Sequence, residues 1–113
     1  MPAISDVSTA AKKIALADHI LTQTYPLAQE PKLLLAACNY LDEAGQMLAQ
    51  GKQLTPEQRS TVETVHTIVQ KHRDAPVEFR RKQNFVICEE DYKFSVINKE
   101  TVARHLRVLR SMV

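Results

Sequence analysis

Arg59 and His66 stand seven residues apart in a segment that reads as helix. Seven residues is two turns, so both project from nearly the same face, about 10 Å apart along the axis. A guanidinium holds a phosphate through paired N–H donors, and an imidazole moves a proton near neutral pH. Together they suit phosphodiester cleavage by a ribonuclease. Two exposed helix residues with no joint role meet the same spacing.

A second constellation is basic. Arg104, Arg107 and Arg110 recur every three residues, with His105 beside them. With Arg80, Arg81 and Lys82 they can form a patch for phosphates, and RNA is the nucleic acid this would serve. The alternative is a solvated face opposite Val102, Leu106 and Leu109, partly neutralised by Glu89, Glu90 and Asp91. Six aromatics and no Trp argue against base stacking on single strands.

Other chemistries find less support. His19, His66, His72 and His105 are scattered, and no Cys or His pair has zinc spacing. Glu89-Glu90-Asp91 lacks the alternating ligands and the Gly of a calcium loop. Gly45 and Gly51, the two glycines, make no phosphate-cradling loop. No metal or cofactor is therefore expected, and no nucleophile has a visible base near it in sequence. Cys38 and Cys88 sit in apolar settings and read as buried thiols, with a Cys38–Cys88 bridge as the minor alternative.

The elements that must position these residues are mostly helical. The 113 residues suit a single domain, residues 1–113, with about two-thirds of the unfolded surface buried on folding. No apolar run reaches the length of a membrane span, and the first residues do not resemble a signal peptide. A cytoplasmic protein is the resulting expectation. Residues 1–51 carry three Lys/Arg against five acids, and residues 52–113 twelve against eight. That bias permits an anionic partner on the C-terminal half without demanding one.

The first helix is expected to start at Asp6 or Ser8 and run to about Thr24, with Ala10, Ile14, Ala17 and Leu21 on its buried face. Pro26 and Pro31 predict a stiff corner, because Pro26 lacks an amide proton and its ring meets the carbonyl four residues back. A second helix, about Pro31 to Gln50, has two apolar stripes. Leu34, Ala37, Leu41, Ala44 and Leu48 form one; Leu33, Ala36, Tyr40 and Met47 form the other. It reads as the central helix, and its breadth also suggests a homodimer. Gly51 is placed to end it in the left-handed conformation.

Thr55-Pro56-Glu57-Gln58 is a capping box that starts a third helix, ending near Arg73 with Lys71, His72 and Arg73 in its last turn. Phe85–Cys88 and Tyr92–Ile97 are β-prone. Their Glu89-Glu90-Asp91 connection lacks a tight-turn signal, so a loose hairpin and two separate extended segments stay open. Phe79, Phe85, Phe94, Val86 and Ile97 are expected to form a lid on the core. Asn98 caps the last helix, with Ile97 and Val102 as a staple and Val102, Leu106, Leu109 and Val113 as its buried stripe.

Two segments resemble a known family. Leu21-Thr22-Gln23-Thr24-Tyr25-Pro26-Leu27 with Glu30-Pro31-Lys32-Leu33-Leu34-Leu35 is one. Pro76-Val77-Glu78-Phe79-Arg80-Arg81-Lys82 with Phe85-Val86-Ile87-Cys88 and Asp91-Tyr92 is the other. Together they look like an uncharacterised, mostly archaeal family of small helical proteins, HEPN-like in style. The resemblance implies a bundle of four or five helices that often dimerises. Active HEPN-like members are ribonucleases with an Arg and a His near the start of a core helix, which Arg59 and His66 match. Ser60 follows the Arg where that pattern has a polar amide or acid, and the helix is not the last.

The expected architecture is thus mostly α: a four-helix bundle with a short extended or hairpin-like segment before the last helix. The expected function is a non-enzymatic interaction module that forms a homodimer or binds another protein. An RNA-binding protein or a HEPN-like, toxin-like ribonuclease is the alternative.

Overall fold

The computed structural model describes residues 2–51, 53–75, 77–82, 84–89 and 93–113; of residues 2–7 and 77 it describes the backbone alone. Helix α1 spans Pro2–His19, a π-helical turn Ile20–Thr24, and α2 Tyr25–Ala28. Then come α3 (Lys32–Gly51) and α4 (Pro56–Asp74). Strands β1 (Val77–Arg81), β2 (Asn84–Cys88) and β3 (Phe94–Ile97) precede α5 (Lys99–Arg110).

The mostly helical expectation holds. Ala10, Ile14, Ala17 and Leu21 are buried on α1 and its extension. Helix α3 is central and touches α1, α4 and α5. That explains its two apolar stripes within one chain: Leu34, Ala37, Leu41, Ala44 and Leu48 are buried, while Leu33, Tyr40 and Met47 pack against the core from its margin. The α4 capping box is present in full, with Thr55 Oγ1 accepting from the Gln58 amide and Gln58 Oε1 from the Thr55 amide. Asn98 Oδ1 accepts from the Thr101 amide at 2.9 Å, and both Ile97 and Val102 are buried.

Several boundaries differ, each for a local reason. Helix α1 begins at Pro2, so Ser8 lies inside it. Pro26 does not turn the chain sharply. The π-helical turn widens the helix ahead of it, and the Tyr25 amide reaches back to the Ile20 carbonyl. Pro26 then takes a first-turn position in α2, where its missing amide proton costs little. The left-handed end falls on Gln29, at φ 51°, whose amide donates to the Tyr25 carbonyl at 2.7 Å. Gly51 has no positive φ and is the last residue of α3. At the C-terminus Met112 is buried in place of Val113, which is exposed.

The extended region is a three-stranded antiparallel sheet in the order β1-β2-β3. Strands β2 and β3 do form a hairpin, with Phe85 opposite Ile97 and Cys88 opposite Phe94. The Glu89 amide donates to the Lys93 carbonyl at 2.9 Å and closes it. Glu90, Asp91 and Tyr92 lie outside the described residues. The unexpected element is β1, which pairs with β2 from Val77 opposite Cys88 to Arg81 opposite Asn84.

Candidate functional site

Side chains alternate across a strand, so the register sorts the sheet into two faces. Phe85, Ile87 and Ile97 point inward and join the helical core. Glu78, opposite Ile87, and Ser95, also opposite Ile87, share that inner side. The end of α4 holds both. Lys71 Nζ donates to Ser95 Oγ at 3.1 Å and lies 3.5 Å from Glu89 Oε2. His72 Nδ1 bonds Glu78 Oε2, and its ring meets Phe85 edge-on with centroids 6.4 Å apart. The basic last turn of α4 therefore anchors the sheet as well as meeting the helix dipole.

The outer face is apolar. Phe79 on β1, Val86 on β2 and Val96 on β3 lie side by side, and Phe94 lies opposite Cys88. Phe79 is 41% exposed, Phe94 62% and Val96 53%, whereas Val86 between them is 5% exposed and forms a floor. The lid expectation is therefore corrected. Phe85, Val86 and Ile97 are buried, but Phe79 and Phe94 face solvent because each stands on the opposite parity to Ile87 and Ile97. These residues line a concavity of about 450 Å³ together with Arg81, Lys82 and Asn84.

The basic residues fall into separate places. Lys82 occupies the β1–β2 turn with φ 56°, next to Arg81 at the end of β1. Both are exposed, and among the described residues neither has an acidic partner. Arg80 lies 3.5 Å from Glu30, and Arg110 lies 3.6 Å from Asp18. Arg104 and Arg107 line a different, more polar concavity with Thr55, Glu57 and Gln58. The six cations thus do not line one concavity; Arg81 with Lys82, and Arg104 with Arg107, are the two pairs brought together.

Arg59 is exposed near the start of α4. His66 Nδ1 bonds Asp42 Oδ1 on α3 at 3.0 Å. Neither residue lines either concavity. Among the described residues, no group of three or more His, Cys, Asp and Glu is placed to hold a metal ion. No helix among them is long and apolar enough to cross a membrane. Both thiols are free. Cys38 is buried, and desolvation, helped by the Asp42 carboxylate, pushes its pKa up to about 12. Cys88 is only half-buried and belongs to the outer face of the sheet, which corrects the expectation of two buried thiols.

The sequence carried one usable signal for this face. Val77, Phe79 and Arg81 alternate with Glu78 and Arg80, a period-two pattern. The parity that faces the core is the one that buries Phe85, Ile87 and Ile97, and Glu78 and Ser95 on the same side meet α4. No family model, curated protein or solved structure matches this chain.

Proposed function

We propose that this chain is a non-enzymatic interaction module: a four-helix bundle carrying a small sheet whose outer face takes a partner. The observation that carries this is the exposed side of the sheet. The sheet turns Glu78 and Ser95 toward the helices and leaves Phe79, Phe94 and Val96 toward water. Phe79, Phe94 and Val96 are grouped on one face rather than scattered singly, which supports reading it as a small contact surface. The breadth of α3, which suggested a homodimer, is accounted for by burial against α1, α4 and α5.

A photo-crosslinking residue placed at Val96 in expressing cells tests the proposal, with the exposed Ser60 of α4 as control. Adducts formed from Val96, absent from Ser60 and lost on Phe94→Ser, are the expected result. Equal adducts from both positions, or none from Val96, would refute it.

One observation favours a second reading, a ribonuclease. The carboxylate of Asp42 holds the His66 ring at 3.0 Å, the orientation aid that a general base uses. Its test is cleavage of single-stranded RNA that disappears in His66→Ala; an intact protein that leaves the RNA whole ends that reading.

A further inference from the structure

We infer that the outer sheet face binds single-stranded nucleic acid, with bases lying on Phe79 and Phe94 and phosphates meeting Arg81 and Lys82. The inference rests on the reading of that face as the contact surface.

Size narrows the choice of occupant first. Three strands at about 4.8 Å spacing, each rising about 3.4 Å per residue, present only about 200 Å². A stable protein dimer buries about 800 Å² on each partner, so the face alone is too small to hold a second copy. A single strand of nucleic acid is narrow enough to lie across it.

Charge narrows it further. Arg81 and Lys82 stand at one end of the concavity, both exposed and, among the described residues, without an acidic partner. A second copy would bring the same two cations. A phosphate backbone brings the opposite sign, and every neutralised phosphate releases counterions.

The aromatic placement supplies the remaining feature. Phe79 and Phe94 lie on strands that do not pair with each other, separated by β2. Their strands are therefore about 10 Å apart across the sheet, leaving each ring free to take its own base. Stacking needs only a flat apolar ring, because every base has a π-face. Asn84 lies within the same concavity and offers an amide to a base edge. Composition alone counted few aromatics; the register gathers two of the three Phe on one exposed surface.

The test is fluorescence anisotropy with labelled oligo-U and oligo-dT of about twelve nucleotides, in salt from about 25 to 200 mM. Among the described residues nothing on the face selects the sugar, so both are expected to bind. Phe79→Ala and Phe94→Ala should each weaken binding by about 5- to 100-fold. Two phosphate contacts give a salt slope of about −1.4, which Arg81→Glu with Lys82→Glu should bring near zero. Both Phe side chains are exposed, so thermal melts should show the variants folded.

Absence of binding at low salt overturns the inference. So does binding that the Phe variants leave intact and Arg104→Glu removes, which would move it to α5. A concentration-dependent dimer lost on Val96→Asp makes a second copy the occupant and also overturns it. Crosslinks from Val96 to protein alone, with no oligonucleotide binding, sink the nucleic acid and keep the face as a contact surface. No crosslinks and no binding sink both.

Discussion

Gly45 of α3 faces Val62 of α4 so closely that a Cβ on Gly45 would lie 3.3 Å from Val62 Cγ2. The two helices meet there without room for a longer side chain. Gly45→Ala gains about 1 kcal/mol of helix propensity but requires the stiff Val62 side chain to give by a few tenths of an ångström. The two effects oppose, so Gly45→Ala should change stability by less than about 1 kcal/mol. Gly45→Leu should cost about 1–3 kcal/mol by overpacking. Val62→Ala should recover part of that loss, which a double-mutant cycle in denaturant reads as coupling.

Leu41 has no exposed surface in the isolated chain. Truncation to Ala removes a core side chain and leaves a cavity, at a cost of about 2–5 kcal/mol. The loss should be independent of protein concentration, because α1, α4 and α5 of the same chain cover α3. Unfolding midpoints of wild type and Leu41→Ala at two widely separated concentrations check this. A midpoint that rises with concentration in the wild type alone would mean that Leu41 serves an interface between copies.

The helical frame was legible because its signals are local. Thr55, Pro56 and Gln58 sit together, Asn98 stands ahead of an apolar period, and α3 carries its stripes in one run. Strand β1 is hard to see in the sequence because Val77-Glu78-Phe79-Arg80-Arg81 is short and charged, and its turn uses Lys82 where a Gly or Asn would announce it. The corner at Pro26 was half legible. Proline did perturb the helix, but a π-helical turn absorbed the perturbation and the chain continued to Ala28. The candidate site was the least legible part. Phe79 and Phe94 belong to the core or to the surface according to one step of register, and that step follows the burial of Phe85, Ile87 and Ile97 against helices far away in sequence.

The two thiols should react at different rates. Cys38 is buried, and its pKa of about 12 leaves almost no thiolate near neutral pH. Cys88 is partly exposed at the outer face of the sheet. A maleimide should label one thiol in the native protein, Cys88, and the second only on unfolding, with peptide mapping to assign them. Labelling at Cys88 should also weaken the oligonucleotide binding inferred for the outer face. Equal native labelling of both would mean that the core around Cys38 opens readily.

Acid should weaken the fold through His105. Its Nε2 is buried and, among the described residues, has no hydrogen-bond partner. Burial, then the Arg104 charge, lowers its pKa from 6.5. The folded protein therefore takes up the His105 proton at lower pH than the unfolded chain does. The stability carried by the neutral ring is complete above pH 6.5 and drains away as pH falls toward the lower, folded-state value. His105→Leu removes both the proton and the unpaired nitrogen. It should match or exceed the wild type in stability at pH 8, and its advantage should widen below about pH 6.5. Chemical denaturation of the two proteins across pH 8 to 5 measures that gap, in which the other three histidines cancel. A gap that stays constant with pH would mean that the His105 ring reaches water in the folded protein and titrates there as freely as in the unfolded chain.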